Sequence, residues 1–73
     1  MKNLTPAQIE ILSMMANGLS IKQIVYIRST SIRTVYDQIY DARERLGAQT
    51  NYEMIARFAR RYRLRIAKRG KAV

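Results

Sequence analysis

Residues 18–47 read GLSIKQIVYIRSTSIRTVYDQIYDARERLG, a short helix, a tight turn and a longer helix. Ser20 caps the first helix, and Gln23 three residues on completes a capping box. Ile24 and Ile27 give that helix an apolar side, and Arg28-Ser29-Thr30 break the pattern. Ser31 opens the second helix, in which Val35, Ile39, Ala42 and Leu46 recur at spacings of four, three and four. Such spacing predicts one continuous buried stripe. Gly47 ends the helix, because glycine accepts the left-handed conformation of a C-terminal cap. The outline is that of a helix-turn-helix.

On these residues the stretch resembles the LuxR/GerE-type helix-turn-helix of bacterial transcription regulators. The likeness is carried by Leu4-Thr5-Pro6, Glu10, Leu12, Ala16, Gly18-Leu19-Ser20, Lys22, Ile24, Ser31, Thr34-Val35, Leu46-Gly47 and Glu53. These fall in the family's order without a gap, and the likeness extends to about Leu64. It implies an all-α fold of four helices in a single domain, residues 1–73, with the motif over 20–46. The last helix is expected over about 51–66, extended and basic, followed by a basic tail at 67–73. At the turn the chain departs from the family, which usually has leucine and isoleucine where Arg28 and Thr30 stand. Ile27, Tyr26 or Ile32 is expected to fill the space.

A length of 73 residues allows one small domain and leaves no room for a separate sensor domain. A core of this size is marginal, and dimerisation is a common remedy. With no cysteine and no histidine there is no disulfide, no thiolate and no ordinary general base. No metal cluster or nucleotide loop is evident, so an enzyme is not expected, nor any cofactor. The N-terminus lacks a signal-peptide core and no apolar run reaches membrane-span length, which makes the cytoplasm the default location. Fourteen Lys and Arg against five Asp and Glu give a net charge of +9. That excess asks for a polyanion, nucleic acid before a membrane.

Taken in order, Thr5-Pro6-Ala7-Gln8 is a strong helix start, with Thr5 as cap and Gln8 reaching back. Ile9, Leu12, Met15 and Ala16 are expected to face inward, and Asn17-Gly18 to end the helix. Glu10 is expected to pair with a basic residue of a neighbouring helix. Thr50-Asn51-Tyr52-Glu53 is a further capping box, opening a last helix whose stripe is Ile55, Phe58, Ala59 and Tyr62. From Arg57 onward the chain carries eight cations and no acid. Such an end grips phosphates without reading sequence.

For function, the resemblance implies that Tyr36, Asp37 and Tyr40 occupy positions from which family members read bases. Tyrosine packs on a thymine methyl, and aspartate accepts from cytosine N4. Asp37 is repelled by phosphate and needs the groove floor or a partner such as Arg33. Ser20, Lys22, Arg33, Thr34, Arg43 and Arg45 are the expected phosphate contacts. The dimer contact implied for the last helix falls on Met54, Phe58, Tyr62 and Leu64. A two-fold dimer sets its recognition helices roughly 34 Å apart. The expected partners are double-stranded DNA and a second copy of the chain. Another LuxR-type regulator or RNA polymerase is a further candidate. The alternative is a module that captures and inhibits a larger regulator of the same family, for which the two tyrosines supply a protein-binding patch.

Overall fold

The computed structural model describes residues 3–62. Four helices follow one another: α1 (Pro6–Ala16), α2 (Ile21–Arg28), α3 (Ile32–Leu46) and α4 (Asn51–Tyr62). The described residues contain no strand. The long helix α3 touches each of the other three and forms the spine of the domain.

The boundaries follow from capping chemistry. The Thr5 hydroxyl accepts from the Gln8 backbone N–H at 3.2 Å, and the Thr5 N–H donates to Gln8 Oε1 at 3.1 Å. Ser20 and Gln23 repeat that box at the start of α2. At α3, Ser31 Oγ accepts from the Thr34 N–H at 3.1 Å. Each box satisfies amide groups that a helix N-terminus otherwise leaves without partners. Gly47 takes the left-handed cap of α3 at φ 68°, where a β-carbon is strained. Ser29 ends α2 in the same region at φ 51°, ψ 50°. An L-residue there costs about 1–2 kcal/mol. The motif holds this cost because the helices on both sides fix the turn.

The core comprises Leu4, Ile11, Leu12, Ile24, Val35, Ile39, Ala42, Leu46, Met54 and Phe58. All four residues of the α3 stripe lie in it, as their spacing predicts. Three other expectations need correction. In α1 the buried face is Gln8, Ile11 and Leu12, while Ile9 and Met15 are only partly buried. In α4 Phe58 is fully buried as its stripe predicts, but Met54 joins it inside, while Ile55, Ala59 and Tyr62 are only half-buried. At the turn, Ile27, Tyr26 and Ile32 do not fill the space and are exposed at 53%, 85% and 50%. Arg28 pairs instead with Glu10 of α1. Val25 packs on the core from the same helix. An ion pair thus stands where an apolar anchor was missing.

Gln8 is the buried polar residue of the described core, 1% exposed. Its amide nitrogen donates to Gln38 Oε1 at 3.1 Å and to Asp41 Oδ2 at 2.6 Å. Its oxygen closes the α1 cap, so one side chain fastens the start of α1 to the middle of α3. Among the described residues no buried side-chain polar atom lacks a partner. That satisfaction allows an amide inside a small core.

The start of α4 differs from a simple capping box. Thr50 Oγ1 accepts from the Glu53 N–H at 3.0 Å, but Glu53 reaches one residue further back and accepts from the Gln49 N–H at 2.9 Å. Its other oxygen takes Arg57, whose guanidinium also reaches the Leu46 carbonyl at the end of α3. The Gln49 amide, then Arg57, hold the Glu53 carboxyl below its ordinary value. A carboxyl lowered in the folded state stabilises the fold above its unfolded pKa of about 4.3, and that contribution is lost as pH falls through the folded value. The melting temperature is therefore expected to drop on acidification below about pH 4. Glu53→Gln should flatten that drop, as thermal melts followed by circular dichroism at stepped pH will show.

Candidate nucleic-acid interface

With Val35, Ile39, Ala42 and Leu46 buried, the 3.6-residue period sets the rest of α3 around the solvent side. Arg33, Asp37, Tyr40 and Glu44 stand opposite the core. Ile32, Tyr36 and Arg43 occupy one flank; Thr34, Gln38, Asp41 and Arg45 occupy the other. Tyr36 is 54% exposed and Tyr40 58%. These are large rings left in water, although a small domain gains stability from every apolar group it buries.

Charge is arranged around those rings. Arg33 Nε lies 4.0 Å from Asp37 Oδ2, one helical turn on, with both side chains largely exposed. So open a pair contributes little to stability and leaves both groups able to take other partners. The Arg43 guanidinium donates to Asn51 Oδ1 at 2.8 Å and stands 5.7 Å from the centre of the Tyr40 ring. The start of α4 thereby orients Arg43, and Arg43 steadies Tyr40 by a cation–π contact.

The two helix N-termini of the motif add partial positive charge. Ser20 is exposed at the start of α2, with Lys22 beside it. Ser31 Oγ donates to Thr34 Oγ1 at 2.9 Å. The Thr34 hydroxyl keeps its own proton to donate outward. Such termini suit phosphate oxygens.

Arg45 is placed differently from the expected phosphate contacts. Its Nε donates to Asp41 Oδ2 at 2.7 Å and its Nη1 to the Asn3 carbonyl at 2.8 Å. It belongs to the side of α3 that holds Gln8 and the N-terminal segment, and its donors serve the fold. Two of the four expected dimer residues are also placed otherwise. Met54 and Phe58 have no exposed surface and cannot meet a partner. Tyr62 is half-buried, stacks on Phe58 with ring centres 5.0 Å apart, and accepts from the Leu4 N–H at 3.3 Å. Leu64 lies outside the described residues, as do the expected helix extension to 66 and the basic tail.

Sequence reasoning passed over Ile32, half exposed in the same i, i+4, i+8 row as Tyr36 and Tyr40. The i, i+4, i+8 spacing of Ile32, Tyr36 and Tyr40 is the signal in the sequence that marks this row. Sequence reasoning also passed over an open apolar groove lined by Met15, Leu19, Ile21, Tyr52, Ile55 and Ala56, in which Tyr52 is 91% exposed.

The GerE family model, described as bacterial regulatory proteins of the luxR family, matches residues 2–58 of the 73. The chain belongs to the LuxR family of bacterial regulatory proteins. The matched span takes in α1, α2 and α3 whole and α4 as far as Phe58. No curated protein and no solved structure matches the chain. LuxR-family membership makes this a helix-turn-helix domain of a DNA-binding transcription regulator. Among the described residues no group of three or more His, Cys, Asp or Glu is placed to hold a metal ion, and no helix is long and apolar enough to cross a membrane.

Proposed function

We propose that this LuxR-family domain reads the sequence of double-stranded DNA by placing α3 in the major groove, and that it does so as a homodimer on the bacterial nucleoid. The observation that carries the reading is the division of α3. Its whole apolar stripe is sealed in the core, and Arg33, Tyr36, Asp37 and Tyr40 are presented to solvent on its first turns. The first turns of a recognition helix are the part that reaches base edges. Tyr36, Asp37 and Tyr40 are assigned to bases. Ser20, Lys22, Arg33, Thr34 and Arg43 are assigned to phosphates, and the net charge of +9 supplies the attraction.

The two-fold contact is assigned to the groove beside α4, with Tyr52, Ile55 and Ala56 meeting their counterparts. These are the apolar residues of α4 that line the open groove. RNA polymerase or a larger regulator of the family would then meet the faces left free by the dimer.

Selection from a random duplex pool at two salt concentrations tests the reading. An enriched inverted repeat is expected, with half-sites about one helical turn apart. Tyr36→Ala should lower affinity for the enriched duplex roughly 5- to 150-fold, the value of a direct base contact of about 1–3 kcal/mol. Its affinity for scrambled duplex should stay within about twofold of wild type. Equal binding of every duplex, unchanged by Tyr36→Ala, would contradict the reading. It would favour the protein-capture alternative if a LuxR-type regulator were then bound stoichiometrically without DNA.

A further inference from the structure

Resting on α3 as the base-reading helix, we propose that Ile32, Tyr36 and Tyr40 form a ridge that reads the 5-methyl groups of thymine. The operator half-site is therefore specified by thymines that this row touches. The three residues are exposed to nearly the same degree, 50%, 54% and 58%. They succeed one another at i, i+4 and i+8, which puts them in one row along the helix. Successive members are about 6 Å apart along the axis, and the row is about 12 Å long. Stacked base pairs recur about every 3.4 Å, so the row spans three to four of them.

The chemistry selects thymine. In the major groove the 5-methyl of thymine is the apolar feature of a base-pair edge; the other readable atoms are hydrogen-bond donors and acceptors. An aliphatic side chain followed by two ring faces matches methyl groups, whereas guanine asks for a bidentate cation and adenine for a side-chain amide. Ile32 has no polar atom, so its half-exposed surface gains in the groove only from an apolar neighbour. The ridge is also bordered by the charges a duplex requires. Arg33 precedes Tyr36, and Arg43 stands 5.7 Å from the Tyr40 ring centre. A partner that is apolar along its centre and anionic along both edges fits this face, and the major groove of thymine-bearing DNA has that form. Asp37, between the two tyrosines, adds a cytosine N4 contact on the same groove floor.

The test is a paired selection with the whole protein, from one random duplex pool made with thymine and a second made with deoxyuridine in its place. Enrichment of thymine at fixed half-site positions is expected from the first pool and its loss from the second. On the enriched site, each methyl removed should weaken binding about fourfold. Ile32→Ala and Tyr36→Ala, both at exposed positions and checked for native helix content, should bind the thymine and deoxyuridine duplexes with ratios closer to one. The same motif recovered from both pools, with equal affinities, overturns the methyl reading and leaves base reading by α3 intact. No motif from either pool overturns base reading as well and turns the ridge toward a protein.

Discussion

Phe58→Ala is expected to destabilise the domain by about 3–5 kcal/mol, the cost of emptying an aromatic site in a packed core. Phe58 has no exposed surface, stacks on Tyr62, and sits in the core with Ile39, Leu46 and Met54. A domain of this length has a total stability of the same order as that loss, so the variant should be largely unfolded at 37 °C. Tyr52→Ala, six residues earlier on the same helix, makes the contrast. Tyr52 is 91% exposed and should leave the melting temperature nearly unchanged at low concentration, while weakening self-association through the groove. Thermal melts of the two variants beside sedimentation of Tyr52→Ala separate core from surface on α4. A folded Phe58→Ala that is merely monomeric would reverse the assignment and restore Phe58 to the dimer contact.

Affinity for DNA is expected to fall by about 10³–10⁵ between 50 and 200 mM salt, the dependence of a protein that neutralises six to ten phosphates. The proposed homodimer would hold that many candidates: Lys22, Arg33 and Arg43 on the motif of each protomer, and the cations that follow α4 in the sequence. Replacing Arg63, Arg65, Lys68, Arg69 and Lys71 by glutamine removes five of the nine excess positive charges. That variant should lose affinity for enriched and scrambled duplexes alike, and its salt slope should flatten by about 0.9 for each phosphate contact given up. Base preference should survive, because it is assigned to α3. Anisotropy titrations over a salt series on both duplexes measure the two quantities together. Lost discrimination with an unchanged slope would put the tail, and not α3, in charge of sequence.

The parts legible in the sequence were those where polarity and position agree. The α3 stripe was readable because fifteen residues offer four turns of strong contrast between apolar and charged positions. The caps were readable because Thr5, Ser20 and Ser31 act within three residues of themselves. The Glu10 pairing also followed, although its partner Arg28 emerged only with the packing of α1 on α2. The phase of α1 is hard to read from sequence, since Ile9, Ile11, Leu12, Met14 and Met15 surround much of the helix and give little contrast. Gln8 adds to this, a polar residue whose burial depends on Gln38 and Asp41 some thirty residues away. In α4 two adjacent apolar stripes compete; Phe58 belongs to the expected one and is buried, and only the tertiary packing shows that Met54 goes inside with it. Arg45 looked like its neighbour Arg43 by type. Two positions along the helix, about two hundred degrees around its axis, turn one toward Asn51 and the other toward Asn3.

If the outer face of α3 meets the base edges, bound DNA will perturb that face first. The most direct measurement is a titration of ¹⁵N-labelled protein with the enriched duplex, following backbone and tyrosine side-chain resonances. The largest shifts are expected over residues 31–40, strongest at Tyr36, Asp37 and Tyr40, with smaller ones at Ser20 and Lys22 and near silence at Gln8 and Arg45. Shifts concentrated around Tyr52, Ile55 and Ala56, with α3 unmoved, would contradict base reading by α3.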